Sequence, residues 1–415
     1  MNQIEKLTAE LCPNGVEFKS LQDIFITKNG YTPSTTNKDY WTDGTVPWFR
    51  MEDIRENGRI LGNSLQKVTK EAVKGGKLFP ANSIIVATSA TIGEHALITV
   101  EHLSNQRFTS LSLKPEFTER LDMKFVFYYC FVLDEWCRKN TTKSSFASVD
   151  MNGFKKFLFP LPPLEIQQEI VIILDKFVEL QAELQAELQA RRAQYEYYRD
   201  ALLSFDERTI AQASKQASKQ ASKQLYQNHP KRWVTLGEIA LNLDSMRKPI
   251  TSSLREPGDI PYYGASGCVD YVKDYIFDGD FLLISEDGAN LIARNTPIAF
   301  SISGKNWVNN HAHVLKFDTY AERKYVEYYL NNLDLNPYIS GAAQPKLNKK
   351  SMESIKIPNL PIKEKERIVT ILDQFDTLTT SLTEGLPREI ALRQKQYEYY
   401  RDLLLSFPKS DTPYG

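Results

Sequence analysis

The chain has 415 residues, 42% hydrophobic and 25% charged. This composition excludes a wholly disordered protein and leaves room for roughly two to four domains. Lys and Arg (51) nearly balance Asp and Glu (52) for a net charge of −1, so any nucleic-acid surface must be a local patch, or a partner must supply the phosphate neutralisation. No run approaches 18 uncharged apolar residues, Met1–Lys6 lacks a signal-peptide pattern, and Cys12, Cys130, Cys137 and Cys268 form no C-x-x-C pair. A cytoplasmic protein with no membrane contact and no structural zinc is expected.

In chain order, residues 1–158 read as a first globule of short strands and turns. Ser83-Ile84-Ile85-Val86-Ala87 is a predicted buried strand, and a helix is predicted over 119–139. Phe159-Pro160-Leu161-Pro162-Pro163-Leu164 then leads into a Pro- and Gly-free segment ending at Phe205. Its apolar residues at 170, 173, 174, 177, 180, 184, 188, 195, 198, 202 and 205 recur at steps that are mostly three or four. This spacing predicts one helix (159–206 with its lead-in) of about 42 residues and ~60 Å. Within it Glu-Leu-Gln-Ala occurs three times over Glu179–Ala190, and each added unit would lengthen the helix by about 6 Å. The low-complexity tract Ala213–Gln224 (Ala-Ser-Lys-Gln three times) marks a linker over 207–230.

A second globule follows over 231–356, with predicted strands Phe281–Ser285 and Val314–Phe317 and a helix over 321–333. A second helical segment occupies 357–407, before a tail at 408–415. Gly385-Leu386-Pro387 should break or kink it.

The two halves repeat each other. Gln194–Phe205 recurs at Gln396–Phe407 with eleven matches in twelve, and Ile173-Leu174-Asp175-Lys176-Phe177 recurs as Ile371-Leu372-Asp373-Gln374-Phe375. Fainter echoes keep the same order: Leu21–Ile24 with Leu236–Ile239, Val46–Phe49 with Ile260–Tyr263, Phe79–Val86 with Phe277–Ile284, and Lys124–Tyr129 with Lys324–Tyr329. Such order implies globule, helix, globule, helix by duplication. The pairing of two long helices is the expected way to cover their apolar faces.

Signals for chemistry are weak. There is no G-x-x-x-x-G-K-[ST] phosphate loop and no G-x-G-x-x-G after a strand. Asn336-Pro337-Tyr338 reads as a turn. Asp278, Asp280, Glu286 and Asp287 lack the lysine of a metal nuclease, and His311 with His313 lacks a third metal ligand.

The Pro-Leu-Pro-Pro-Leu-Glu-Ile-Gln-Gln-Glu-Ile lead-in (160–170), the paired Tyr-Glu-Tyr-Tyr-Arg-Asp helix ends and the half-and-half layout resemble the specificity subunit of type I restriction-modification systems. The resemblance covers nearly the whole chain. It implies an α/β fold with two α/β target-recognition globules joined by two long antiparallel helices (a coiled coil), related by a pseudo-twofold internal duplication. It also implies a non-catalytic subunit that reads a bipartite, asymmetric site in double-stranded DNA. Two adenine-methyltransferase subunits and restriction subunits would be its partners. No cofactor is expected in this chain, with S-adenosylmethionine, ATP and Mg2+ on the partners.

Base reading needs amides, guanidinium groups and hydroxyls at strand-end loops. Candidates in the first globule are Thr88, Ser89, Thr91, Asn105, Gln106 and Arg107. In the second they are Asn290, Arg294, Asn309, Asn310, His311, Gln344 and Lys346, with Lys143, Lys349 and Lys350 for phosphate. Tyr197, Arg199 and Asp200, with Tyr399, Arg401 and Asp402, are candidates for the methyltransferase-facing surface. Two other classes compete: a scaffold spacing two non-DNA binding globules, and a stand-alone enzyme, against which the missing motifs weigh.

Overall fold

The computed structural model describes residues 3–142, 147–205, 233–341 and 344–409. Lys143 and the Ala-Ser-Lys-Gln tract lie outside the described residues. The chain forms two compact units, Met1–Leu184 with Ile390–Gly415 and Gln185–Glu389. Each therefore combines one globule with parts of both helical segments.

The first unit is built on a mixed sheet of β1 (Phe25–Asn29), β2 (Ile60–Leu61), β3 (Ser83–Ala87), β4 (His95–Ile98) and β5 (Phe108–Leu113), ordered β1-β5-β3-β4-β2. Only the edge strand β2 pairs in parallel. The central strand β3 is buried along its whole length, as its β-branched run requires. Alternation sends Ile84 and Val86 into the core shared with helix α1 (Met123–Lys139). Ile85 and Ala87 go to the other face, with Phe49, Met51, Ile54 and Leu61. Helix α1 starts at Asp122, whose carboxylate accepts from the backbone N–H groups of Lys124 and Phe125.

The long helix α2 spans Leu164–Leu203, starting directly after Pro163, where a proline is tolerated. One buried side chain docks this start. The Gln167 amide donates to the carbonyls of Arg120 (2.8 Å) and Pro162 (2.7 Å) and accepts from the N–H of Asp122 (2.9 Å).

The second unit repeats the plan. Strands β6 (Leu241–Asn242), β7 (Phe281–Ser285), β8 (Ala299–Ile302) and β9 (Ala312–Lys316) are ordered β6-β9-β7-β8. This is the order of the first unit without its fifth strand. Leu282 and Ile284 pack toward α3 (Tyr320–Asn332), while Phe281 and Leu283 face a second cluster. Antiparallel ribbons close both globules, Phe18–Ser20 with Leu158–Pro160 and Trp233–Thr235 with Lys356–Pro358. Helix α4 (Ile362–Thr380) is docked by Lys365, the counterpart of Gln167, through an ion pair with Glu322 at 3.0 Å.

The duplicated motifs do equivalent work. Tyr128 donates to Asp175 at 2.7 Å, and Tyr328 donates to Asp373 at 2.6 Å. Burial and these carboxylates push both phenols upward, so they remain donors. Phe177 stacks on Tyr400 at 5.6 Å in the first unit, and Phe375 stacks on Tyr198 at 5.6 Å in the second. In the first unit the segments run antiparallel, since Gln181 meets Gln394 while Phe177 meets Tyr397 and Tyr400. The break expected at Gly385 is present. Helix α4 stops at Thr380 and α5 (Gly385–Leu404) restarts at Gly385, whose φ is +76°. No helix among the described residues is long and apolar enough to cross a membrane.

Candidate nucleic-acid interface

In each unit the two central strands run antiparallel, so the loop leaving one and the loop entering the other meet at the same sheet end. In the first unit Ala87 pairs with Phe108, bringing 88–94 beside 105–107. The Thr88 N–H donates to the Arg107 carbonyl (2.9 Å), and its hydroxyl meets that of Thr109 (3.1 Å). Ser89 bridges to Ser148, which brings a third segment to this end. Asn105 braces the loop by accepting from the Arg107 N–H at 3.0 Å. Thr32 donates to the Gln106 side-chain carbonyl at 2.5 Å, leaving the Gln106 side-chain NH2 group free of it. Arg107 is exposed. Gly30 makes the arrangement possible, because a Cβ there would collide with the Ser104 and Asn105 carbonyls. Thr91 is half-buried in the adjoining turn.

In the second unit Ser285 pairs with Ala312, and the loops after and before these strands carry Asp287 and Asn309–His311. Asp287 bridges to Lys346, as Ser89 does to Ser148, so Gln344 and Lys346 join the same end. Asn309 accepts from the His311 N–H (2.8 Å), and His311 pairs with Asp287 (2.9 Å). Asn310 and Gln344 are exposed. Lys349 and Lys350 lie on the short helix Lys349–Glu353, both exposed, with Lys349 3.7 Å from Glu353.

Thr88 and Asn309, predicted readers, are buried within the loop bonds just given, and two further predicted readers are committed to the fold. Arg294, in the left-handed region at φ +54°, gives its guanidinium to the carbonyls of Leu333 (2.6 Å) and Leu330 (3.4 Å) at the end of α3. Asn290 closes a loop on Thr296 through both ends of its amide. Sequence reading took both as exposed polar loop residues, because nothing local reveals that a helix end lies within reach.

Conversely, it overlooked Asp244 and Arg247, which with Glu286 and His313 position the second loop cluster. Arg247 donates to Glu286 (2.7 Å) and to the Ala312 carbonyl (2.8 Å), and lies 3.5 Å from Asp244. His313 is buried between the Asp244 carboxylate (2.6 Å) and the Leu347 carbonyl (2.8 Å). Lys346 reaches Glu286 at 3.2 Å. Burial opposes ionisation of Asp244 and Glu286. The hydrogen bonds from His313 and Arg247 respectively, with the surrounding positive charge, overcome it and hold both carboxyls below their ordinary range. Glu286 thus serves an ion network, and Asp280 pairs with Arg323. Among the described residues no group of three His, Cys, Asp or Glu could hold a metal. Asn336–Tyr338 is a 3-10 turn.

The helix ends differ between units. Tyr399 is 65% exposed and Asp402 is exposed, whereas the Arg401 guanidinium lies over the Phe131 ring at 4.8 Å. Arg199 lies 5.9 Å over Tyr195 and pairs with Asp200, as Arg401 lies 5.7 Å over Tyr397 and pairs with Asp402, but Arg199 borders a cavity of about 380 Å³ that Asp376 and Glu327 also line. Tyr197 packs edge-on against Tyr198 at 5.5 Å.

Two units that share one strand order, each with polar loops gathered at one end of its sheet, define a duplicated α/β protein. Comparison with known proteins makes the class specific. Residues 13–191 and 230–392 match the family described as "Type I restriction modification DNA specificity domain", and the chain belongs to it. It is a type I specificity subunit, the non-catalytic DNA-recognition component of such a system. The chain is 48% identical over 383 residues to the type I restriction enzyme EcoprrI specificity subunit of Escherichia coli, covering 89% of this chain and 90% of that one. It is 35% identical over 323 residues to the EcoR124I/EcoR124II specificity subunit of Escherichia coli, covering 70% and 72%. The fold matches the S subunit of M. genitalium (TM-score 0.51, 18% identity, 95% and 97% coverage) and the HsdS subunit of Thermoanaerobacter tengcongensis (0.52, 19%, 96% and 98%).

Proposed function

We propose that the two units read the two halves of a bipartite, asymmetric site in duplex DNA. On this reading the helical segments set the gap, and the helix ends dock two adenine-methyltransferase subunits, with restriction subunits completing the assembly in the cytoplasm. S-adenosylmethionine, ATP and Mg2+ act on those partners. One observation carries this reading: the same strand order presents the same pair of loops twice, with unlike residues. Ser89, Gln106 and Arg107 stand in one unit where Asp287, Asn310 and His311 stand in the other. A common frame with dissimilar side chains suits an asymmetric target. The exposed Lys349 and Lys350 suit phosphate contacts.

The test is to co-express the chain with its methyltransferase subunit in a methylation-free host and sequence the methylated bases. Two unlike half-sites separated by a constant gap are expected. Assembly without methylation, with weak sequence-blind DNA binding in gel shifts, would favour a scaffold role instead.

A further inference from the structure

A cleft of about 450 Å³ opens in the first unit beside the loop cluster, and none of the residues chosen from sequence except Gln106 adjoins it. Its floor is two indoles, Trp41 and Trp48, edge to face at 4.9 Å. Both are anchored through their ring N–H groups, Trp41 to the Ser34 carbonyl (3.0 Å) and Trp48 to the Tyr31 carbonyl (2.9 Å). The cleft is therefore preformed. Its rim carries the Thr32 hydroxyl, the Gln66 amide, Lys38 and Arg50. Arg50 lies 5.5 Å over the Trp48 ring and no closer than 3.9 Å to Glu52. Thr32 also holds Gln106, so the cleft and the loop 105–107 form one surface.

The second unit handles the same place differently. Strand Pro257–Gly264 pairs in parallel with Lys305–Val308 as Val46–Phe49 does with Leu103–Ser104, which puts Tyr262 at the position of Trp48. Tyr262 is buried, its hydroxyl accepts from the Ile250 N–H (2.9 Å), and Arg255 covers its ring at 4.4 Å while bonded to Asp270 at 2.9 Å. There the arginine is satisfied within the protein. In the first unit the cations and the amide face an open aromatic cleft.

We infer that this cleft is a base-reading site of the first unit, in which Gln66 and Arg50 meet base edges and Lys38 meets a phosphate of the same duplex. The chemistry fits the ligand. An amide pairs with adenine, a guanidinium pairs with guanine, and anchored aromatic rings give an apolar surface for a base or a thymine methyl group. The inference rests on the DNA-reading function proposed above and adds the residues that impose part of the sequence choice.

The experiment uses the full chain assembled with its methyltransferase subunit. Gln66→Ala and Gln66→Asn should relax one position of one half-site, raising methylation at sites with another base there by about tenfold or more. The other half-site should be unchanged. Gln66→Asn retains an amide but is one methylene shorter, and it decides the matter if the alanine variant fails to assemble. Lys38→Ala should weaken binding to all sequences alike and lower the slope of log affinity against log salt by about one. Assembled Gln66→Asn and Lys38→Ala proteins that keep the wild-type motif, stringency and salt slope would overturn the inference. A wild-type complex with no bipartite motif would defeat the underlying reading instead.

Discussion

His102 shows how one side chain makes the first unit sensitive to acid. It is fully buried between Phe49 and Phe79, each 5.6 Å away, with Nδ1 on the Val100 carbonyl and Nε2 unpartnered. Burial lowers its pKa to about 4. An unfolded chain takes up that proton near the ordinary value of about 6.5, and the folded one resists until about 4. The stabilisation is complete above about 6.5 and is lost as pH falls toward 4, about 3 kcal/mol in all. His102→Gln should therefore show a smaller fall in Tm between pH 7 and pH 5 than the wild type, as followed by circular dichroism. An equal fall in both proteins would refute this. The residue scale is also where sequence reading was least able to choose. Gln106, Arg107 and Asn310 sit at the sheet-end loops as expected, but Arg294 looked identical in kind and is bound to carbonyls of α3. Polar residues in turns announce their exposure, not the partner that folding brings to them.

At the scale of elements, sequence and structure agree where the pattern is local. The run Ser83–Ala87, the start of α2 after Pro163 and the stop before Gly385 all follow from β-branching, proline and glycine chemistry. Gly385 gives a direct check. A Cβ at φ +76° would be strained and would collide with the carbonyls of Thr377 and Leu378. Gly385→Ala should destabilise the second unit by about 1–3 kcal/mol, seen as a lower urea midpoint at unchanged m-value. A midpoint at or above that of the wild type would show that the helix break tolerates a side chain. The segment 30–50 was poorly legible because its turns and short strands lack any period. Its cleft depends on indoles whose anchors, Ser34 and Tyr31, are set by the path of the loop.

For the whole molecule, the duplicated helical motifs lead to a test of spacing. Glu179, Glu183 and Glu187 are exposed, while Leu180, Leu184 and Leu188 are half-buried or buried, so each Glu-Leu-Gln-Ala unit repeats one packing step of α2. Removing one unit takes away about 6 Å of helix. Under the proposed function, the gap between half-sites should change by about one or two base pairs while both half-sites keep their sequence. Methylome sequencing of the deletion strain would reject the idea if the gap were unaltered.

The amino-acid order alone determined the duplication, the order of elements and the long helix, because repetition and helical period are written in neighbouring residues. It also pointed to the type I specificity family through the lead-in and helix-end motifs. Only the tertiary structure decided which polar groups remain open to a ligand. Asp244, Arg247, Glu286 and His313 come from three separate stretches to brace one loop cluster, and Lys38, Arg50 and Gln66 from others to rim one cleft. Hydrogen-bond partners distant along the chain settle whether a side chain is satisfied internally, and proximity of that kind exists only once the sheet has formed.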